Sequence, residues 1–284
     1  MSTRAKFVRG FVLSCLLLVP VQLLAQTSGT SMSRQPGPDN EYQVGAILWT
    51  QSSAEYRALA YQAFSLARLR LDQQLATQRR GRAARRVKPP AIIVDVDETV
   101  LDNSRFQAEM ILRGTGYTPQ AWQAWCDRAE AGAVPGAAEF LNYAARHGVQ
   151  VFYITNRRQA EKAGTLTNLK NAGFPGVNDE TVVIREQSSA SKETRRQMVR
   201  ARYRVVMLVG DNLNDFNDDF AGKSIADRKA QVDREQKQFG FDYIVIPNPM
   251  YGDWESAVYD NKPLNDADRR AKRREALRGI TIQP

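Results

Sequence analysis

The stretch Ala91-Ile92-Ile93-Val94-Asp95-Val96-Asp97-Glu98-Thr99 decides the fold. Its first four residues form an apolar run after Pro89-Pro90, which is typical of a short buried strand. Two aspartates follow at once, so the sequence places carboxylates at the end of that strand. Because ligands bind beyond the carboxyl ends of the strands in open α/β sheets, we expect a functional site at this edge.

Four other apolar runs of the same kind follow along the chain, at residues 149–154, 181–184, 205–209 and 243–246. Helical patterns lie between these runs, at about residues 135–147, 158–171 and 191–202. Strands that alternate with helices predict a mostly parallel sheet that is covered on both faces. The predicted fold class is therefore α/β, with a three-layer Rossmann-like parallel sheet core and a helical cap or second domain.

A long amphipathic helix is predicted ahead of the first strand. Ser52-Ser53-Ala54-Glu55 has the spacing of a capping box, with Ser52 as the N-cap and Glu55 three residues later. The apolar residues that follow recur every three or four positions and predict one buried face: Tyr56, Leu59, Ala63, Ala67, Leu71 and Leu75. We expect this helix to end near Gln78.

The first two strands are separated by far more than one helix. Residues 101–148 include Thr118-Pro119, which is typical of the N-cap and first residue of an additional helix. We therefore expect a cap insertion at about residues 101–148 over the strand ends. The expected divisions of the chain after its leader are an N-terminal helical segment at residues 42–87, a core at 88–255 and a basic C-terminal helical tail at 256–284.

The start of the sequence has the pattern of an exported protein. An apolar run at residues 11–25 follows three basic residues, Arg4, Lys6 and Arg9. We expect residues 1–25 to be a signal peptide and residues 26–41 a flexible leader, which places the mature protein in the periplasm. Cys15 supports a competing interpretation, an outer-membrane lipoprotein acylated at that residue, and we expect membrane association only in that case.

Composition excludes several classes of site and partner. The 284 residues contain two cysteines and one histidine, too few for a disulfide scaffold, a cysteine-rich zinc module or a mechanism that needs two histidines. The formal charge is +9, and basic runs lie at residues 79–88 and 269–274. Such runs are usually solvated surface, and no nucleic-acid motif accompanies them, so we expect no specific nucleic-acid partner. Polyanion binding and a homodimer stay open as alternatives.

Acidic residues follow two of the predicted strands. Asp95 and Asp97 come after the first strand, and Asp211 and Asp215 after the fourth. Like charges this close do not all stay ionised unaided, so we expect a divalent cation and a lysine beside them. Oxygen ligands favour a hard ion, and we expect Mg²⁺ as the cofactor. Lys192, at the start of a helix, is the favoured cation, and the alternatives to it are Lys162, Lys170 and Arg185.

These residues resemble, in order, the four motifs of the haloacid dehalogenase-like phosphatase superfamily: Asp95-x-Asp97-x-Thr99, Thr155, Lys192 and Gly210-Asp211-x-x-x-Asp215. Longer strings resemble the class C bacterial acid phosphatases, which are exported 5′-nucleotidases and in many cases surface lipoproteins. These strings lie at residues 95–104, 152–157, 209–216 and 251–255, and the likeness covers roughly residues 42–260. The resemblance implies an enzyme that hydrolyses phosphate monoesters, with nucleoside monophosphates among its substrates.

The resemblance also implies a role for each motif residue. Asp95 would be the nucleophile that forms an aspartyl-phosphate, and Asp97 would protonate the leaving alkoxide and then activate water. Thr155 would donate its hydroxyl to a phosphoryl oxygen, and Lys192 would offset charge on the intermediate. The implied Mg²⁺ ligands are the Asp95 carboxylate, the Asp97 carbonyl, Asp211 and, through water, Asp215, for which a helix-capping role is the alternative.

Specificity is expected to come from the cap and from the loop after the last strand. The resemblance implies that Trp122 and Tyr251 stack on a nucleobase or another flat leaving group, with Asn156 as a further substrate-binding residue. The alternative is that both aromatic residues belong to the core. Because Trp125 lies three residues after Trp122, we expect Trp125 to be packed and Trp122 to be exposed.

Two functional alternatives stay open at this point. A phosphotransferase of the same fold would pass the phosphoryl group from Asp95 to an alcohol, and the sequence does not distinguish it from a hydrolase. A non-catalytic surface binding protein is disfavoured because Asp95 and Asp97 are both present. Asp97 also favours phosphate esters over halogenated substrates, since a dehalogenase needs no acid for an alcohol leaving group.

Overall fold

The computed structural model describes residues 38–81, 88–185 and 191–277. All of the described elements belong to one unit, Pro36–Pro284. Some sequence-based expectations lie outside the described residues, namely the signal peptide, the acylation site at Cys15, most of the leader, and residues 82–87 of the first basic run. Within the described part of the chain, no helix combines the length and the apolar character that a membrane crossing requires.

The elements alternate between strand and helix along most of the chain. The described strands are β1 Pro90–Val94, β2 Leu101–Asp102, β3 Gly132–Ala133, β4 Gln150–Ile154, β5 Val182–Val183, β6 Arg204–Gly210 and β7 Tyr243–Val245. The described α-helices are α1 Val44–Ser52, α2 Ala54–Gly81, α3 Ser104–Leu112, α4 Pro119–Arg128, α5 Ala137–Arg146, α6 Lys162–Asn171, α7 Glu193–Arg202, α8 Ile225–Arg234, α9 Asp253–Val258 and α10 Asp266–Ala276.

A five-stranded parallel sheet in the order β5-β4-β1-β6-β7 forms the centre of the protein. β1 lies in the middle, where Val94 is paired with Tyr153 of β4 and with Val209 of β6. Every residue of β1 is buried, as its apolar run predicts. β2 and β3 form a separate antiparallel pair.

Side chains of the sheet alternate between two apolar cores, one on each face. Ile92 and Val94 of β1 pack into the core that includes residues of α2 and α5. Ala91 and Ile93 pack into the opposite core, together with Val199 of α7. Helices therefore cover both faces of the sheet, and the predicted three-layer α/β fold is confirmed.

The chain between β1 and β4 contains more than a crossover helix. β2, α3, α4 and β3 come first, and α5 then packs against α2 and β4. Thr118 caps α4 as predicted, because its side chain accepts a hydrogen bond of 3.1 Å from the backbone N–H of Ala121. α4 packs closely on α6 at Gly164, where a β-carbon would collide with the carbonyl of Cys126. α1 packs on α3, so the N-terminal segment and the insertion are in contact.

The N-terminal helices differ from the prediction in two respects. Ser52 is the last residue of α1, and Ser53 accepts a 3.0 Å hydrogen bond from the backbone N–H of Tyr56 at the start of α2. The capping box predicted for Ser52 and Glu55 is therefore wrong, because Ser52 itself belongs to the preceding helix α1. Leu59 is 41 % exposed, since the buried stripe of α2 runs through Tyr56, Ala60, Phe64, Ala67 and Leu71.

We expect Leu71→Ala to destabilise the protein by about 2–5 kcal/mol, because it leaves a cavity in the core beside the sheet. Leu69→Ala in the same helix is the matched control. Leu69 is 53 % exposed, so its replacement should change the free energy of unfolding by less than about 0.5 kcal/mol. Urea denaturation followed by circular dichroism measures both values, and equal losses would contradict this placement of α2.

Candidate active site

The acidic end of β1 lies at the centre of the carboxyl edge of the sheet. The backbone N–H of Asp95 donates a 2.9 Å hydrogen bond to the carbonyl of Val209 in the neighbouring strand. Lys192 Nζ donates to Asp95 Oδ1 and, at 2.7 Å, to Asp215 Oδ1. The side chains of all three charged residues are buried. One ammonium group therefore joins two carboxylates that come from different strand ends.

Lys192 is held in place by α7, of which it is the N-cap residue. Arg196, one turn further along, is fully buried and donates a 2.9 Å hydrogen bond to Asp218, which ties α7 to the loop that carries Asp215. Burial lowers the pKa of Lys192, but the adjacent carboxylates outweigh it and raise this pKa above its ordinary value. Burial raises the pKa of Asp95, and the ion pair with Lys192 opposes that shift.

Three carboxylates are close enough to share one cation. Asp95, Asp211 and Asp215 each offer an oxygen, and these oxygens lie within 4.8 Å of one another. Asp211 also accepts hydrogen bonds from Thr99 Oγ1 at 3.0 Å and from Asn248 Nδ2 at 2.8 Å. Burial and the charge of Asp215 raise the pKa of Asp211 to about 7. A donor set of carboxylate oxygens suits a hard divalent cation, so these residues fit a metal of that kind.

The loop after β6 folds back tightly on itself. A β-carbon at Gly210 would collide with the carboxylate of Asp215, so this position requires glycine. Asp215 Oδ2 accepts a 3.0 Å hydrogen bond from the backbone N–H of Asn212. The spacing Gly210-Asp211-x-x-x-Asp215 thus brings its second aspartate against the strand end.

Asp97 is held by a different cation, Arg157. Arg157 Nη2 donates to Oδ1 of Asp97 at 2.7 Å, and Nε lies 3.0 Å from Oδ1 and 3.2 Å from Oδ2. Asn103 Nδ2 donates to Oδ1 at 2.9 Å, and Thr155 Oγ1 donates to Oδ2 at 3.4 Å. Burial lowers the pKa of Arg157, but Asp97 outweighs burial, and the pKa lies above its ordinary value.

Glu98 joins the loop of Asp97 to the loop that follows β7. It is 2 % exposed and has a φ of 58°, in the left-handed region that residues other than glycine rarely adopt. Its carboxylate accepts a 2.8 Å hydrogen bond from the backbone N–H of Asn103 and another from the hydroxyl of Tyr251. Burial, with a further contribution from Asp97, raises the pKa of Glu98. These contacts hold the turn and fix Tyr251 beside it.

A pocket of about 690 Å³ opens next to Asp97. The three residues that the sequence assigns to substrate binding line it together: Asn156, Trp122 and Tyr251. The aromatic lining also includes Tyr42, Tyr117 and Tyr259, and α10 contributes Arg269. A flat aromatic group in this pocket would therefore lie within the same cavity as Asp97.

The structure brings the sequence-predicted site residues to one edge of the sheet, in two groups. The first group, named here the charge cluster, consists of Asp95, Lys192, Asp211 and Asp215. The second group lies at or beside the pocket and consists of Asp97, Thr155, Asn156, Trp122 and Tyr251. Lys162, an alternative to Lys192, pairs instead with Asp179 at 2.9 Å.

The expectation that Trp122 is exposed is wrong. Trp122 is 9 % exposed and Trp125 is 3 % exposed. Trp122 packs edge-on against Phe106 with 5.1 Å between ring centroids, and it lies over the guanidinium of Arg157. Packing against both neighbours covers most of the ring, and the remaining surface borders the pocket. Two aromatic residues of the pocket are more open, Tyr117 at 60 % and Tyr42 at 39 % exposed.

Four residues of the site carry no assignment from the sequence: Glu98, Asn103, Arg157 and Asn248. Arg157 lies in the string Thr155-Asn156-Arg157 at the end of a predicted strand, so the motif marks its position. Its partner Asp97 is 60 residues away along the chain, and only the pairing of β1 with β4 brings the two together. Asn248 follows β7 in the same way and reaches Asp211 across the strand ends.

The fold and the site together define a haloacid dehalogenase-like hydrolase: a five-stranded parallel sheet with aspartates, a threonine and a lysine at its carboxyl edge. A family model described as "HAD superfamily, subfamily IIIB (Acid phosphatase)" matches residues 25–254. The chain therefore belongs to this acid phosphatase family, which classifies it among the phosphoric monoester hydrolases. The resemblance inferred from the motifs is confirmed.

Solved structures of the class C acid phosphatase from Bacillus anthracis are similar to this chain. One is 39 % identical with a TM-score of 0.79, and the match covers 86 % of this chain and 99 % of that one. Another, with tungstate bound, is 39 % identical with a TM-score of 0.78, and the match covers 84 % and 98 %.

Two curated plant proteins are more distant relatives. The Stem 31 kDa glycoprotein of Glycine max is 24 % identical over 164 residues, which is 56 % of this chain and 58 % of that protein. Acid phosphatase 1 of Solanum lycopersicum is 25 % identical over 166 residues, which is 56 % of this chain and 57 % of that protein. The match thus spans little more than half the length of these curated relatives.

Asp211 should make the stability of the metal-free protein depend on pH. Its pKa in the folded protein is about 7, above the value of about 4 for an unfolded aspartate, so the folded state holds an extra proton between these values. We expect the free energy of unfolding in EDTA to fall as the pH rises from about 5 to about 8. Asp211→Asn cannot ionise, so it should reduce this fall by more than about 1 kcal/mol.

Urea denaturation in EDTA at both pH values measures the effect. Asp219→Asn is the matched control, because Asp219 is exposed and lies outside the charge cluster, and it should follow the wild-type profile. Adding a divalent cation at the higher pH should stabilise the wild type more than Asp211→Asn. The same pH dependence in the wild type and in Asp211→Asn would contradict this account.

Proposed function

We propose that this protein is an exported, Mg²⁺-dependent acid phosphatase that hydrolyses phosphate monoesters, 5′-nucleotides among them, through an aspartyl-phosphate on Asp95. The observation that carries the proposal is the charge cluster. It holds a buried carboxylate against a lysine, with two further carboxylates close enough to share a cation with it. Such a site can present a nucleophilic oxygen to an anionic phosphate, which an isolated carboxylate would repel.

In the first step, an oxygen of Asp95 attacks phosphorus, a new P–O bond forms and the bond to the ester oxygen breaks. Asp97 in its protonated form gives its proton to the leaving oxygen. Lys192, which is already bonded to Asp95, offsets the negative charge of the phosphorylated intermediate. Thr155, at the adjacent strand end, donates its hydroxyl to a phosphoryl oxygen.

In the second step, water attacks the phosphorus of the aspartyl-phosphate, Asp97 takes a proton from that water, and inorganic phosphate leaves. Asp95 is regenerated as a carboxylate. Mg²⁺, held by the Asp95 carboxylate, the Asp97 carbonyl, Asp211 and Asp215, would reduce the repulsion between nucleophile and phosphate.

A phosphotransferase would use an alcohol in place of water. Comparing free phosphate with transferred product in the presence of added nucleoside separates the two reactions.

Two observations support phosphate monoesters with flat leaving groups, nucleotides among them, as substrates. Tyr117, Trp122 and Tyr251 line the pocket beside Asp97, and aromatic surfaces stack on a base of any identity. The related Bacillus anthracis phosphatase has been solved with tungstate, a tetrahedral oxyanion like phosphate, which supports an oxyanion of that size as the ligand here. Smaller aryl phosphates would fit the same surfaces, so we propose a broad range of flat leaving groups.

The proposed location follows from the basic and then apolar pattern of residues 1–25. In the periplasm, the enzyme would remove phosphate from nucleotides and leave uncharged nucleosides, which are easier to import. Acylation at Cys15 would instead anchor the protein to the outer membrane. The pocket and the charge cluster lie in the unit that begins at Pro36, so both forms would carry the same site.

Asp95→Asn should abolish phosphate release from an aryl phosphate in the presence of Mg²⁺, because the amide is no nucleophile. We expect a loss of more than about 10⁴-fold in kcat, measured by a colorimetric phosphate assay. EDTA should abolish phosphate release by the wild type, and added Mg²⁺ should restore it. Asp219→Asn serves again as the control and should retain turnover, and a thermal melt of each variant confirms folding. Retained turnover in Asp95→Asn would exclude the aspartyl-phosphate mechanism.

Trp122→Ala should weaken the hydrolysis of nucleoside monophosphates more than that of a small aliphatic phosphate. Stacking of a base on an aromatic ring contributes about 1–3 kcal/mol. Its loss predicts a fall of about 5- to 150-fold in kcat/KM for nucleotides. A panel of phosphate monoesters, assayed with and without Mg²⁺, measures the difference. The aliphatic substrate measures the part of the loss that comes from the packing of Trp122 on Arg157, and equal losses on both substrate classes would assign Trp122 to packing alone.

A further inference from the structure

Arg157 borders the pocket but is almost entirely buried. It is 2 % exposed, and its guanidinium is paired on nearly every side. Nη1 donates to Thr165 Oγ1 at 3.0 Å, while Nε and Nη2 are directed at Asp97. A buried charge is unfavourable unless it is paired and hydrogen-bonded. Asp97, whose side chain is 21 % exposed, therefore supplies the carboxylate that pairs with the buried charge of Arg157.

The hydrogen bonds to Asp97 are distributed unequally between its two oxygens. Oδ1 accepts from Arg157 Nη2 at 2.7 Å, from Asn103 Nδ2 at 2.9 Å and from Arg157 Nε at 3.0 Å. Oδ2 has only the longer contacts, 3.2 Å from Arg157 Nε and 3.4 Å from Thr155 Oγ1. A proton on Oδ1 would displace short hydrogen bonds, whereas a proton on Oδ2 would displace weak ones. The surroundings thus favour Oδ2 as the oxygen that carries a transferable proton.

The cap holds the residues that create this asymmetry. Trp122 of α4 lies over the guanidinium of Arg157, 5.2 Å from its central carbon to the ring centroid. Trp125, on the same helix, donates from Nε1 to Asn103 Oδ1 at 2.8 Å. Arg157 Nη2 also lies 3.4 Å from that same oxygen. Both donors that saturate Oδ1 of Asp97 are therefore packed against tryptophans of the insertion.

We propose that Arg157 is a positioning residue for Asp97, which occupies Oδ1 together with Asn103 so that Oδ2 transfers the proton. Trp122 of α4 holds Arg157 in this arrangement, and Trp125 holds Asn103. The inference rests on the proposed function. As the P–O ester bond breaks, the proton passes from Oδ2 to the leaving oxygen. In the second step, the attacking water returns a proton to Oδ2. Arg157 itself exchanges no proton and contacts Asp97 throughout.

Leaving groups of different basicity test this role. An alkyl phosphate such as glycerol 2-phosphate needs a proton on its leaving oxygen, whereas 4-nitrophenyl phosphate does not. Arg157→Gln should slow phosphoryl transfer from the alkyl substrate by about 100-fold or more, which is a typical contribution of general acid catalysis. With the aryl substrate, the rate of the nitrophenolate burst should fall by less than about 10-fold. The steady-state rate that follows the burst should fall further, because Asp97 also activates the water that hydrolyses the intermediate.

Two further variants sharpen the result. Arg157→Lys keeps the positive charge but loses the planar guanidinium that reaches both oxygens of Asp97. It should therefore restore part of the activity on the alkyl phosphate that Arg157→Gln loses. Arg146→Gln is the matched control, since Arg146 is exposed at the end of α5 and does not line the pocket, and it should leave both rates unchanged. The burst amplitude counts folded active sites, so misfolding would lower the amplitude and not the ratio of the two rates.

The outcomes are distinct. A selective loss on the alkyl substrate, with partial rescue by lysine, supports the positioning role. An equal loss on both substrates with a raised KM would overturn it and make Arg157 a ligand of the substrate phosphate. Unchanged rates in Arg157→Gln would overturn it as well. If the wild type released phosphate from neither ester, the proposed function itself would fail, and that result is visible before any variant is compared.

Discussion

Mutual repulsion among carboxylates is the constraint on which this structure depends. Parallel strands end at one edge, so the acidic residues that follow β1 and β6 are brought together by the sheet itself. Within 4.8 Å, three carboxylate oxygens in a buried setting are unstable unless positive charge compensates them. Burial, together with the part of this repulsion that Lys192 does not offset, raises the pKa of Asp211 to about 7.

Two cations divide the acidic residues between them. Lys192 bridges Asp95 and Asp215, whereas Arg157 is bound to Asp97. Each side chain suits its contacts. The ammonium of a lysine is a compact point charge, whereas the planar guanidinium of an arginine can donate hydrogen bonds to both oxygens of one carboxylate. Each cation is also anchored on its own element, Lys192 at the start of α7 and Arg157 beyond β4. The residue proposed as nucleophile and the residue proposed as acid are thus held independently, although only one residue separates them in the chain.

The sequence predicts the sheet and its acidic edge well, because both depend on local patterns. Apolar runs bounded by turn residues mark β1, β4 and β6, and the carboxylates come directly after two of them. The errors arise where a side chain's surroundings are set by distant segments. Leu59 has the spacing of a buried residue, but between Tyr56 and Ala67 the buried face of α2 passes through Ala60 and Phe64, which leaves Leu59 exposed. Trp122 is covered by Phe106 and Arg157, neither of which the spacing of the two tryptophans indicates.

The unexpected burial of Trp122 bears on how the insertion contributes to the site. An exposed ring would offer a substrate a free face and have no connection to the loop of Asp97. The observed ring instead lies against Arg157 on one side and borders the pocket on the other. Tyr251 is placed similarly, since it lines the pocket while its hydroxyl is bound to Glu98 in that same loop. These two rings are therefore connected to the segment that carries Asp95 and Asp97, Trp122 through Arg157 and Tyr251 through Glu98. Under the proposed mechanism, a substrate that displaces either ring would also shift the carboxylate proposed as its acid, so the packing would couple the shape of the leaving group to the efficiency of proton transfer.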